Sequence, residues 1–109
     1  MKIAVTSQNI GSVTAHAGRC RKFWVYELPK GSADMNKQFI ELEIDETLHS
    51  MTSQLPAKLS GINVLITANL GDSLKMKLLK VGVTTHLSTD DDTPDNALVN
   101  YLAKEQQKH

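Results

Sequence analysis

The sequence predicts an α/β fold built on a mixed five-stranded sheet, and three observations lead there. Runs rich in β-branched and aromatic residues, Lys2–Thr6 and Lys22–Leu28, open the chain, and a third strand-like run, Lys37–Ile44, follows them. From Leu48 the apolar residues switch from alternating to helical spacing. Beyond that point apolar strand-like runs alternate with helix-like runs, joined at glycine, which is the pattern of parallel strands linked by crossovers.

Lys2-Ile-Ala-Val-Thr6 is short and mostly apolar, as in a strand covered on both faces. The stretch Thr6–Lys22 then runs for roughly fifteen residues without periodicity, a length at which loops usually carry function or are disordered. Lys22-Phe-Trp-Val-Tyr-Glu-Leu28 is the second strand, and Pro29-Lys-Gly-Ser a turn. In the third, Ile40, Leu42 and Ile44 alternate with Glu41 and Glu43, so one face looks to water.

Leu48, Met51, Leu55 and Leu59 predict a helix capped by Asp45 or Thr47 and ended by Gly61. Pro56 costs about 3 kcal/mol inside a helix, so this one kinks there or starts near Ser53. Ile62–Thr67 is a buried strand, and Ala68-Asn-Leu-Gly71 a tight turn into a helix with Leu70, Leu74, Leu78 and Leu79 inward and Lys75, Lys77 and Lys80 outward. Gly82 closes that helix, and Val83–Ser88 is a fifth strand. Thr93 at the N-cap, Pro94 at the first helical position and Asp95 in the first turn open a last helix. Ala97, Leu98, Tyr101 and Leu102 supply its apolar face, and the Lys104–His109 tail is expected to fray.

Right-handed crossovers place strands four and five parallel to strand one. The expected sheet order is 3-2-1-4-5, a ribonuclease H-like motif in the architectural sense, with three helices on its faces and a single domain over residues 1–109. The carboxyl ends of strands one, four and five then share one edge, where open α/β sheets bind ligands. The long loop, the Thr67–Gly71 turn and the Ser88–Thr93 turn should meet there.

Composition narrows the function. With 40% apolar and 22% charged residues and zero formal net charge, the chain is an ordinary globular sequence with no global pull toward nucleic acid or an anionic membrane. No apolar run has the length of a membrane span, and the start reads as a strand rather than a signal peptide. One cysteine cannot form an internal disulfide and suits a reducing compartment, so the expected location is cytoplasmic. The first strand lacks the clustered carboxylates of a two-metal nuclease, and there is neither a Gly-x-x-x-x-Gly-Lys run nor a nucleophile elbow, so an enzyme is not supported.

Within the long loop, His16 and Cys20 are soft-metal ligand types flanked by Arg19, Arg21 and Lys22. They are two donors where a closed zinc site needs four, and the alternative is a backbone-bonded histidine and a packed cysteine. Asn69-Leu-Gly71-Asp72 can offer N–H groups to an anion at a helix start, or act as a connector. Asp90-Asp-Asp92 can chelate a hard cation or favour the helix that follows. His86 reads as structural, His49 as a surface helix residue, and Trp24 and Tyr26 as packing.

Met1-Lys-Ile-Ala-Val5, His16-Ala-Gly18-Arg-Cys20 leading into Phe23-Trp-Val-Tyr26, Val64-Leu-Ile-Thr-Ala-Asn-Leu-Gly71 and Val81-Gly-Val83 together resemble the dinitrogenase iron-molybdenum cofactor biosynthesis family. That family comprises NifX-like proteins and the C-terminal domain of NifB. Ala17 stands where the family usually has Phe, and Thr67-Ala-Asn-Leu-Gly71 replaces a more glycine-rich turn. The resemblance implies a non-catalytic carrier of an iron-molybdenum cofactor or iron-sulfur cluster precursor, working with cluster-assembly proteins. It implies His16 as cluster ligand, Cys20 as second ligand and Gly18 as a close backbone approach; Arg19, Asn69 and Gly71 are the remaining expected binding residues. The other class is a protein–protein interaction or regulatory module that keeps the fold without a cluster and docks an acidic partner through its basic loop.

Overall fold

Period-two alternation divides the apolar residues between two cores. Along β1 (Lys2–Thr6), Ile3 and Val5 join one buried cluster and Ala4 the other; along β4 (Val64–Thr67), Val64 and Ile66 oppose Leu65. β2 (Lys22–Glu27) does the same, with Phe23 and Val25 on one side and Tyr26 on the other. This is a computed structural model, and it describes residues 1–28, 35–51, 53–90 and 92–107. The expected Pro29–Ser32 turn, and Asp91 of the acidic run, lie outside those residues.

β1 pairs antiparallel with β2, and β2 antiparallel with β3 (Asn36–Glu41). On its other side β1 runs parallel to β4, which runs parallel to β5 (Thr84–Leu87). The order is therefore 3-2-1-4-5, as expected. α1 (Asp72–Lys80) packs Leu78 on the core of Ala4, Phe23 and Leu65, while α2 (Pro94–Gln107) packs Ala97, Leu98 and Tyr101 on the core of Ile3, Val5 and Ile66. The α2 cap forms as its sequence dictates. The Asn96 N–H donates to Thr93 Oγ1 at 3.2 Å, and the Ala97 N–H to the Thr93 carbonyl at 2.9 Å.

The expected helix over Leu48–Leu59 does not form. Three 3-10 turns, Ile44–Glu46, Leu48–Ser50 and Ala57–Leu59, take its place, so two α-helices rather than three cover the sheet among the described residues. Thr47 and Met51 are extended at the ends of these turns, and Pro56 stands at ψ 145° before the last one. A proline here offers no N–H for a helical ladder and disfavours helical backbone in the residue before it. Leu48, Met51 and Leu59 are buried all the same. Their spacing reported burial, not helix.

β3 stops at Glu41, and the following 3-10 turn rotates Ile44 into solvent, leaving it 78% exposed while Leu42 is buried. Leu79, expected inward, lies on the open side of α1, and Lys77, expected outward, is half-buried. α2 continues through Lys104 to Gln107 instead of fraying at 104; residues 108 and 109 lie outside the described residues.

Candidate functional site

The Thr6–Lys22 loop is held by its own polar side chains and by the three strand ends it meets. Asn9 Oδ1 accepts the N–H groups of Gly11 and Ser12 at 3.1 and 2.9 Å, closing an Asx-type turn. Farther on, the Thr14 carbonyl accepts the Ala68 N–H at 3.1 Å and lies 2.7 and 3.1 Å from the hydroxyls of Thr6 and Thr67. The Val13 N–H donates to the Asp92 carbonyl at 2.8 Å. Loop, β4 turn and β5 turn therefore meet at the carboxyl edge of the parallel strands, where they were expected.

His16 sits at the apex of a tight turn. Its backbone is left-handed at φ 60°, and its carbonyl accepts the N–H groups of Arg19 and Cys20 at 2.9 and 3.1 Å. Histidine tolerates this region better than most residues, yet a non-glycine there carries strain of about 1–3 kcal/mol, and such strain clusters at functional positions. The turn leaves the His16 side chain exposed while it buries Ala17 and Cys20.

A cleft of about 450 Å³ opens beside this turn. The loop lines it with His16, Gly18 and Arg19 and the 69–77 segment with Asn69, Gly71, Ser73 and Lys77; Ala17, Leu70 and Leu74 are its apolar lining, and His49 completes it. The loop and the 48–50 turn are locked at Gly18. The His49 N–H donates to the Gly18 carbonyl at 2.8 Å, and a Cβ at position 18 would lie 3.4 Å from His49 Cβ and 3.6 Å from Leu74 Cδ2. The close approach expected of Gly18 is thus made to protein atoms.

A second depression of about 670 Å³ shares His16 and Arg19 with the first and is completed by Gln8, Thr14, Ala15 and Cys20. Cys20 is only 3% exposed, and its thiol donates to the Lys22 carbonyl at 3.0 Å. Burial pushes the thiol pKa up, an effect the neighbouring hydrogen bonds only partly offset. Of the three cations near it, Arg19 lines both hollows. Arg21 is engaged elsewhere, its Nε donating to the Leu42 carbonyl at 2.9 Å and its guanidinium 3.7 Å from Glu41. Among the described residues no three His, Cys, Asp or Glu side chains come together as a metal-binding group.

Five of the six expected site residues, His16, Gly18, Arg19, Asn69 and Gly71, therefore line one cleft, while Cys20 lines the other hollow. Asp92, from the acidic run, serves the α2 start, where its Oδ1 accepts the Thr93 N–H at 3.1 Å and the Asn96 side-chain amide at 2.6 Å. Sequence reasoning missed His49, Ser73 and Lys77. His49 carried no signal once residues 48–59 were read as a helix. The other two did, because Ser73 and Lys77 fall at i and i+4 on the helix, next to the inward Leu74 and Leu78.

Comparison with known proteins agrees with this architecture. A sequence model of the family described as dinitrogenase iron-molybdenum cofactor matches residues 1–104. The apo form of the orange protein from Desulfovibrio gigas superposes with a TM-score of 0.70 at 21% identity, covering 94% of this chain and 88% of that one. The NMR structure of a Thermotoga protein provisionally named NifB gives a TM-score of 0.64 at 20% identity, covering 94% and 87%. At such identities the likeness is one of fold. No curated protein sequence matches the chain.

Proposed function

We propose, given that this chain belongs to the dinitrogenase iron-molybdenum cofactor family, that it is a non-catalytic carrier of an iron-molybdenum cofactor or an iron-sulfur precursor of it, handing its cargo to cluster-assembly proteins in the cytoplasm. One observation carries the reading. An exposed imidazole on a strained turn, an arginine and a half-buried lysine converge on a single cleft at the ligand-binding edge of the sheet. The sheet order 3-2-1-4-5 also supports the narrower description as a ribonuclease H-like motif.

The donor set fits a cluster that brings its bridging ligands with it. His16 supplies one soft nitrogen donor at the cleft mouth, and Arg19 and Lys77 offset negative charge. Cys20 takes second place as a ligand, because coordination requires it to leave the Lys22 carbonyl and lose a proton that burial retains. Few protein ligands and an open cleft also suit a carrier, which must release what it holds.

Anaerobic incubation with ferrous iron and sulfide, then desalting and visible absorption, tests the reading. Wild type is expected to keep a cluster chromophore, His16→Ala to lose most of it, and Cys20→Ala to lose less. Wild type and His16→Ala retaining equally little iron would end the carrier reading.

A further inference from the structure

We propose that Arg19 and Lys77 form a two-sided cation clamp, one from each wall of the cleft, that admits a net-anionic ligand and makes Lys77 the residue that sets this specificity. The inference deepens the carrier reading and rests on the same cleft.

Charge placement is the first support. Among the described residues no aspartate or glutamate lines the cleft, whose charged side chains are Arg19 on the loop and Lys77 on α1. Asp72, in the first turn of α1, is exposed and outside the lining. Arg21, also on the loop, is paired with Glu41 and does not line the cleft. Among the described residues neither Arg19 nor Lys77 makes such a pair.

The second support is the state of Lys77. It is half-buried, and the hydrogen bond recorded for its ammonium goes to the Met51 carbonyl at 3.4 Å, near the limit for such a bond. An ammonium drawn partly out of water and held by one long bond to a neutral oxygen gains by turning to an anion. The apolar lining of Ala17, Leu70 and Leu74 strengthens that attraction by excluding water. Arg19 opposes it with a planar fork of donors, suited to an anion presenting several acceptor atoms.

The clamp is tested with inorganic phosphate as a simple anion, followed by backbone amide NMR on the whole chain at low salt. Phosphate should perturb both walls, at Gly18 and Arg19 and at Asn69 to Lys77. Lys77→Met, which keeps the stem and the helix propensity, should weaken this about tenfold, the effect of losing one charge-assisted bond. Lys77→Arg should restore it, and Lys75→Met, an exposed site on the same helix outside the cleft, should change nothing. Phosphate that perturbs neither wall in the wild type, or perturbs Lys77→Met equally, overturns the clamp. Retention of the iron-sulfide chromophore is scored on the same samples. A wild type that binds phosphate but keeps no cluster ends the carrier reading and leaves the clamp standing; one that keeps the cluster with no phosphate response does the reverse.

Discussion

Two groups of charged side chains, one on each face of the sheet, are matched differently. On the α2 face the charges beside Tyr26 are tied into the fold. Tyr26 donates its hydroxyl to Asp95 at 2.6 Å, Lys37 reaches the same carboxylate at 2.8 Å, and the Lys37 ammonium also lies 4.4 Å from the centre of the Trp24 ring. On the α1 face, Arg19 and Lys77 line a cleft with no carboxylate among its described lining residues. A charge matched within the chain serves stability, whereas one left unmatched in a concave site is available to something outside it.

Core truncation should have the largest effect and should not distinguish the faces. Leu98 on the α2 side and Leu78 on the α1 side are 2% and 0% exposed, and either changed to Ala should cost about 2–5 kcal/mol in chemical denaturation. Unequal losses outside that range would mean that one face packs less tightly than the other.

Breaking the Asp95 contacts should separate the faces through pH. The Lys37 and Tyr26 hydrogen bonds hold the Asp95 carboxyl below its ordinary value of 3.8. A folded-state pKa below the unfolded one adds stability above the ordinary value that is lost as pH falls through the folded value, so Asp95→Asn should flatten the acid limb of the stability curve. Tyr26 runs the other way. Burial, then the Asp95 carboxylate, push its hydroxyl far above its ordinary 10, so its contribution is complete below that pH and declines as pH climbs beyond it. Tyr26→Phe should lessen the alkaline decline, to which the raised pKa values of Tyr101 and Cys20 also contribute. Melting temperature measured across pH checks both, and neither variant should alter cluster retention.

The smallest stability effect belongs to the cleft. His16→Gly relieves a left-handed residue while adding unfolded-state freedom, so stability should stay within about 1 kcal/mol of wild type. Cluster retention should nevertheless collapse. A variant that melts several degrees lower would show that His16 holds the loop together instead.

Much of this was legible along the chain. Alternation in Lys2–Thr6 and Val64–Thr67 and the Thr93-Pro94 start of α2 are local signals, and crossover handedness then allows few sheet orders; the meeting of the long loop with the β4 and β5 turns follows from that order. His16 could be named from its residue type and the family resemblance, Gly18 from the resemblance, and Asn69 and Gly71 from the turn before a helix; the sheet order brings their segments together. What only the tertiary structure decided is which side chains distant segments cover. Pro56 and the extended residues around it turned the expected helix into short turns, which brought His49 against Gly18 and the Met51 carbonyl within reach of Lys77. Packing likewise buried the Cys20 thiol and left His16 open, although both stand in one basic loop. Periodicity and capping depend on neighbours a few residues away, whereas burial and the loss of hydration that sets a ligand's charge state depend on contacts across the fold.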